Sequence, residues 1–274
     1  MGIESFRRAD AEAFLLLSDC EGWICDPWEL EFLLDACPDG CFVWREEGRP
    51  VGFVTAIGYH RSGWVGNLVV APHLRGLGVG TALMKCALAA LGNAGVETVW
   101  LTASEAGERI YAGLGFQAID TVCRWRGDGI TPATVEPGLC SVPALDYDLA
   151  LGIDRAGWGD DRNAIFAALN QRATLFASAE SFLIRHPYGG GVQIGPWGGL
   201  SLQSAELLLQ KGVQGNCSSH DFFLDVPAGN PHAPELLTAH GFTLTATTRL
   251  MFSGRPPSYN PRLIYSLASM GSFG

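Results

Sequence analysis

Val65-Gly66-Asn67-Leu68-Val69-Val70-Ala71-Pro72-His73-Leu74-Arg75-Gly76-Leu77-Gly78-Val79-Gly80 is the stretch from which the rest of the chain can be read. Apart from Asn67, its first seven residues are apolar and rich in β-branched side chains, the pattern of a buried strand. Pro72 ends that strand because it has no N–H to give to a ladder. Arg75 and three glycines at alternate positions follow. From Thr81 to Leu91 good helix formers take over. A glycine loop therefore sits between the end of a strand and the start of a helix. Without Cβ atoms, its amides can converge on one point and approach a ligand closely. The helix N-terminus adds unpaired N–H groups and roughly half a positive charge, and Arg75 adds a full one. The combination is an anion cradle suited to a pyrophosphate.

Two familiar phosphate motifs do not fit. A P-loop needs a Lys after its last glycine, and Gly80 is followed by Thr81. A dinucleotide fingerprint needs G-x-G-x-x-G, and here the third glycine comes one place early. The pattern that remains, Arg75-x-x-Gly78-x-Gly80 after a strand ending Leu68-x-Val70-x-Pro72, resembles the acetyl-CoA motif of the GNAT superfamily of N-acyltransferases.

The flanking segments agree with that resemblance. Ile3–Arg7 reads as a first strand, and Asp10 starts a helix to about Ser18. Asp26-Pro27-Trp28-Glu29 reads as a capping box with proline at the first helical position, opening a helix to about Ala36. Cys41–Glu46 and Val51–His60 read as a hairpin. After the glycine loop and its helix come a strand at Glu97–Thr102, a short helix at Glu105–Gly113 and a strand at Phe116–Trp125. The order β-α-α-β-β-β-α-β-α-β matches the GNAT fold over about Ile3–Arg126. The fold class expected is α/β, a twisted mixed sheet flanked by helices.

Beyond a Gly-, Pro- and Thr-rich stretch from Arg126 to Asp146, a weaker copy of the first half follows. Phe222–Pro227 and the segment ending Ala239-His240-Gly241-Phe242 repeat Trp100–Ala103 and the segment ending Leu114-Gly115-Phe116. Ala173–Ala179, Phe182–His186 and Val192–Ile194 are candidate central strands, and Ser201–Gln210 is a candidate helix. Leu263–Gly271 resembles the last strand of tandem GNAT proteins. The division expected is an N-terminal domain over 1–128, a linker over 129–145 and a degenerate GNAT-like domain over 146–274. The copy lacks the arginine and the Gly-x-Gly spacing, and Leu237 stands where the first half has Tyr111. A wall for the acceptor site, or a docking surface, is the role expected of it rather than catalysis.

Composition bounds the rest. The chain has 274 residues, 47% apolar and 17% charged, with a formal net charge of −10. That charge does not suit a nucleic-acid partner. No apolar run of about 18 residues is present, and Met1–Arg8 lacks the apolar core of a signal peptide. Cysteines at 20, 25, 37, 41, 86, 123, 140 and 217 form no Cys-x-x-Cys pair, so neither zinc nor a redox pair is indicated. Reduced cysteines in a cytoplasmic protein are expected, and a homodimer is compatible with the sequence.

The resemblance implies specific roles. Acetyl-CoA is the expected cofactor. Its diphosphate would meet the amides of Gly76, Leu77, Gly78, Val79, Gly80 and Thr81, helped by Arg75. Its pantetheine arm would pair with the backbone of Leu68, Val69 and Val70, and an amide near Leu68 would polarise the thioester oxygen, a donor typically worth about 3 kcal/mol. Tyr111 falls where the family commonly places the acid that protonates the leaving thiolate. Ser104 replaces the usual asparagine of that motif. Trp23, Asp26, Trp28 and Asn67 fall in segments that line the acceptor groove, although the tryptophans read equally well as core. The acceptor expected is a small primary amine. The rivals are an acyl-CoA sensor that transfers nothing, and an acetyltransferase acting on protein lysines or N-termini. An alkyl amine with a pKa of about 10.4 is neutral roughly once in 2,500 at pH 7, so a base is wanted. The fourth strand carries no acid. Asp19, Glu21, Asp26 and His60 are candidates elsewhere, each also readable as a solvated loop charge.

Overall fold

The computed structural model describes residues 2–127, 147–214 and 221–274. The first half runs β1 (Gly2–Ser5), α1 (Ala11–Cys20), α2 (Pro27–Ala36), β2 (Phe42–Glu46), β3 (Arg49–Gly58), β4 (Ser62–Val70), α3 (Val79–Asn93), β5 (Thr98–Ala103), α4 (Glu105–Ala112) and β6 (Gln117–Gly127). The second runs α5 (Tyr147–Trp158), α6 (Asn163–Leu169), β7 (Thr174–Ala177), β8 (Ser181–Tyr188), β9 (Gly191–Gly199), α7 (Leu202–Gly212), β10 (Phe222–Pro227), α8 (Ala233–Ala239), β11 (Thr243–Gly254) and β12 (Ile264–Ser266). Two helices, α5 and α6, carry no clear signature in the sequence. The whole of the expected linker, 129–145, lies outside the described residues.

Side chains alternate across the sheet. On β3 and β4, Phe53, Ile57 and Trp64 join the core under α1 and α2, and Val54, Ala56 and Val65 join the core under α3. Helix α3 turns Val79, Leu83, Met84, Ala87 and Leu91 inward, the spacing of one helical face. The proline-led start of α2 forms as read, with Asp26 accepting from the Trp28 amide at 2.8 Å. The reciprocal half of the box does not form. Glu29 turns inward with Leu30, Leu33 and Leu34.

Among the described residues the two halves do not keep separate sheets. Twelve strands form one sheet in the order β1-β2-β3-β4-β5-β11-β6-β10-β9-β8-β7, with β12 paired to β9. The closing strands have changed places. β11 pairs with β5 over Arg249–Gly254 and also with β6, and β6 pairs with β10 over Val122–Gly127. Each exchange covers a strand edge that would otherwise stand open. The halves are further joined by Trp158 of α5, which meets the Trp64 and Trp100 rings edge-on at 6.1 and 5.5 Å. Buried Asp160 accepts from the amides of Arg61 and Ser62 at 3.0 and 2.7 Å, clamping the β3–β4 turn. Residues 267–274 then run back onto the first half, where Phe273 is buried under α2.

Candidate active site

The site grows from a fork in the sheet. β4 and β5 pair in parallel only over Ser62–Trp64 and Thr98–Trp100, and beyond that they part. A bulge against β3 helps turn β4 away, with Asn67 at φ +55. Asparagine tolerates that conformation better than most residues, and its amide donates to Thr55 Oγ1 at 3.0 Å. The fork holds a cavity of about 180 Å³, with Asn67 and Leu68 on one wall and Thr102, Ser104 and Tyr111 on the other.

At the outer end of β4 the glycine loop takes the shape its composition allows. Gly76 and Gly78 sit at φ +75 and +83, with nothing within 4 Å of where a Cβ would stand. Gly78 is the residue before α3. The Val79 side chain is buried and that of Leu77 exposed but apolar, so an anionic group could be held at these two residues only through their amides. Arg75 is more committed than its sequence position suggests. Its Nε donates to the Val70 carbonyl at 2.9 Å, and its terminal nitrogen pairs with Glu21. It ties the loop to the strand end, and Glu21 sits where an incoming anion would.

Tyr111 lines the cavity and packs against Phe116 at 6.0 Å. Burial pushes its phenol up to about 12, so it remains a proton donor at neutral pH. Ser104 caps α4, accepting from the Gly107 amide at 3.3 Å.

The other wall comes from residues that no local pattern marked. Ser272, in the tail beyond β12, lines the cavity, and Arg124 and Tyr188 close its far side. Ser272 Oγ donates to Glu29 Oε2 at 2.6 Å. Glu29 is buried, its second oxygen has no partner among the described residues, and burial raises its carboxyl to about 8. Its place beside Leu33, one turn away on the apolar face of α2, is the signal that marks it in retrospect. Arg124 grips Asp225 with two bonds of 2.8 Å and the Met270 carbonyl at 3.0 Å, fixing the tail. Tyr188 donates to the Ile24 carbonyl, drawing the loop before α2 against the second half.

The remaining candidates fall in different places. Trp23 lines the cavity. Trp28 stacks on Phe32 at 5.6 Å and under the Arg172 guanidinium at 4.5 Å, and Asp26 pairs with Arg172 at 2.8 Å. Those two join the halves and are not among the residues lining the fork. His60 lies near Asp160 at the closed end of β4, and His73 pairs with Glu46 at 2.9 Å. Among the described residues no group of His, Cys, Asp or Glu is arranged to hold a metal, and no helix is long and apolar enough to cross a membrane.

Family models match this architecture twice. The acetyltransferase (GNAT) family model matches residues 6–116, and an acetyltransferase (GNAT) domain model matches residues 150–266. The chain belongs to the GNAT family, as a tandem protein. A protein from Pyrococcus horikoshii assigned as an acetyltransferase shares the fold with a TM-score of 0.85 at 24% identity, over 98% of this chain and 94% of its own. A GCN5-related N-acetyltransferase from Sphaerobacter thermophilus gives 0.68 at 16% identity, over 97% and 98%. No curated protein matches the sequence.

The second GNAT half has its own fork. β9 and β10 pair in parallel only over Val192–Gln193 and Phe222–Phe223. Here the opening is filled by β12, which pairs with β9 at Gly198 and Trp197, while the Leu267 amide donates to the Asp225 carbonyl of β10 at 2.8 Å. A Cβ on Gly195 would stand 1.9 Å from the Leu267 carbonyl. The start of α7 is capped by Ser201, whose hydroxyl donates to the Glu180 carboxylate at 2.7 Å. Leu237, matching Tyr111, is fully buried.

Proposed function

We propose that the first half transfers an acetyl group from acetyl-CoA to a small primary amine, by direct attack with both substrates bound. The observation that carries this reading is the open fork, with a protonated tyrosine on one wall and an uncluttered glycine loop at its mouth. The cradle fits a CoA diphosphate because Gly76 and Gly78 leave free exactly the space that side chains would take. The amides of residues 76–81 and the N-terminal field of α3 would hold the diphosphate, with Arg75 joining them once it leaves Glu21. The parted edge of β4 over Leu68–Val70 would pair with the pantetheine arm, and an amide near Leu68 would face the thioester oxygen.

Attack by a neutral amine forms the C–N bond and breaks the C–S bond, and the electron pair leaves with sulphur. Tyr111 supplies a proton to that thiolate and regains one from the new amide nitrogen. A cavity of about 180 Å³, walled by Trp23 and Tyr188, suits a small acceptor better than a polypeptide, and the acidic surface favours a cationic one.

Calorimetry with CoA and acetyl-CoA, followed by thiol release on a panel of alkyl amines, tests the reading. Binding at micromolar concentration and amine-dependent thiol release are expected. Binding without release would leave a sensor of acyl-CoA, and no heat with either ligand would remove the reading.

A further inference from the structure

The fork contains a second polar device that the family pattern on β4 does not supply. Glu29 on α2 and Ser272 in the tail are 243 residues apart in sequence, yet their side chains are hydrogen-bonded at 2.6 Å. Only the serine lines the cavity. The carboxylate lies directly behind it, 2% exposed, with Oε1 unpartnered among the described residues. The serine is held firmly. Trp64 Nε1 donates to the Gly271 carbonyl at 3.0 Å, Phe273 and Gly274 donate to Ser269 Oγ, and Gly66 makes room for the tail, since a Cβ there would meet the Ser272 carbonyl at 2.5 Å. A carboxylate buried at such expense, with one oxygen spare and the other reaching the cavity through a hydroxyl, has the form of a proton relay.

We infer that Ser272 and Glu29 take the proton from the acceptor's ammonium group, Ser272 as the contact and Glu29 as the base. This rests on the acetyltransferase reading and deepens it, by naming the acceptor as an amine that arrives protonated. The ammonium gives its proton to Ser272 Oγ as the serine's own proton passes to Glu29 Oε2. The amine, now neutral, attacks, and the second proton on nitrogen travels by Tyr111 to sulphur. Glu29 returns its proton to water through Ser272 when product leaves, so each turnover releases one proton. The charged and titratable groups around Glu29 are Asp26 and Cys25 at the start of α2, Arg172 before β7, Arg124 on β6 and Tyr188 on β8. Arg124 and Arg172 are each already paired with an aspartate, so neither is a free counter-ion for the carboxylate.

The experiment measures kcat/KM against pH from 6 to 10, with an alkyl amine acceptor, for the wild type, Glu29→Gln and Ser272→Ala, alongside acetyl-CoA affinity by calorimetry. The wild type is expected to rise with pH and level off just above pH 8. Glu29→Gln should fall about 100- to 1,000-fold near pH 8 and lose that limb, following only the amine's own titration. Ser272→Ala removes the bond that favours the carboxylate, so its limb should move to higher pH with a comparable fall in rate. Affinity for acetyl-CoA should stay within about twofold in both. A folded Glu29→Gln that keeps rate and limb overturns the relay, and should that variant fail to fold, an unchanged profile in Ser272→Ala overturns it equally. Thiol release by the wild type alongside either unchanged profile defeats the relay alone. A wild type that binds no acetyl-CoA, or releases no thiol with any amine, defeats the transferase reading and the relay with it.

Discussion

The two forks of the sheet have the same construction and opposite contents. In each, a pair of parallel strands holds together for two or three residues and then parts, exposing backbone donors and acceptors that need partners. In the second half the chain supplies the partner itself, as β12 lies against β9 and the residue after it bonds to β10. In the first half β4 lines a cavity over Val65–Leu68. The loops differ in the same sense. Nothing lies within 4 Å of where a Cβ on Gly76 or Gly78 would stand, whereas the start of α7 has a serine cap with the Glu180 carboxylate against it. In the second half a short strand and one carboxylate occupy the places that stand open in the first.

The difference should appear first in stability against pH. The open fork buries Glu29, whose carboxyl is raised from 4.5 to about 8. Its folded form therefore holds a proton that the unfolded chain has already lost between those two values, so stability falls as pH rises through that window. The full effect is on the order of 5 kcal/mol. Denaturant titrations of wild type and Glu29→Gln at pH 5 and pH 8 check it: the wild type should weaken across the interval and the glutamine variant much less. Equal slopes would mean that the carboxyl is solvated and the fork wetter than its burial implies.

Catalysis should separate the halves next. Tyr111→Phe is expected to lower kcat about 100- to 1,000-fold while CoA affinity stays nearly constant. Leu237→Tyr in the second half should create no activity, because that position is buried in the core and its fork is full. A Tyr111→Phe enzyme with unchanged kcat would take the tyrosine out of the reaction.

The filled fork can be tested by overfilling it. A Cβ at residue 195 would collide with the Leu267 carbonyl at 1.9 Å, backbone that cannot swing aside as a side chain could. Gly195→Ala should destabilise by about 2–3 kcal/mol, seen as a lowered melting temperature. Gly66→Ala makes the matching intrusion in the open fork, at 2.5 Å from the Ser272 carbonyl. There the expected loss is in kcat more than in stability, since the tail carries the serine.

How much of this was legible in the sequence follows from separation along the chain. The glycine loop, its helix, Ser104 and Tyr111 are local motifs; Ser104 and Tyr111 line one cavity, and the loop lies at the outer end of β4, before α3. The weak repeat is local too, and two family models match the two halves. The exchange of β6 and β11 left no local mark, because a strand's own alternation does not name its neighbour. Glu29 could be read only as half of a cap, since Ser272, which gives it another use, lies 243 residues away. Trp28 and Asp26 read as groove residues from the segment they share with Trp23, which lines the cavity. Their partner, Arg172, belongs to the other half.

The smallest predicted effect concerns the mouth of the open fork. Arg75 pairs with Glu21 while its side chain stays 47% exposed, so the pair's worth is about 0.2–1 kcal/mol. A diphosphate at the loop must take the guanidinium from that carboxylate. Removing the carboxylate should therefore tighten binding: Glu21→Gln is expected to lower the Kd for CoA about two- to fivefold, with a steeper weakening by salt as the freed arginine contributes fully. Arg75→Glu should lose affinity far more than Glu21→Gln gains it, and in the double variant the Glu21 change should bring no further tightening beyond relief of two facing carboxylates. Calorimetry at low and moderate salt reads all three. If Glu21→Gln binds CoA less tightly than the wild type, the carboxylate is orienting Arg75 for the ligand, not competing with it, and the open loop would then owe its charge to a prepared pair and not to a freed side chain.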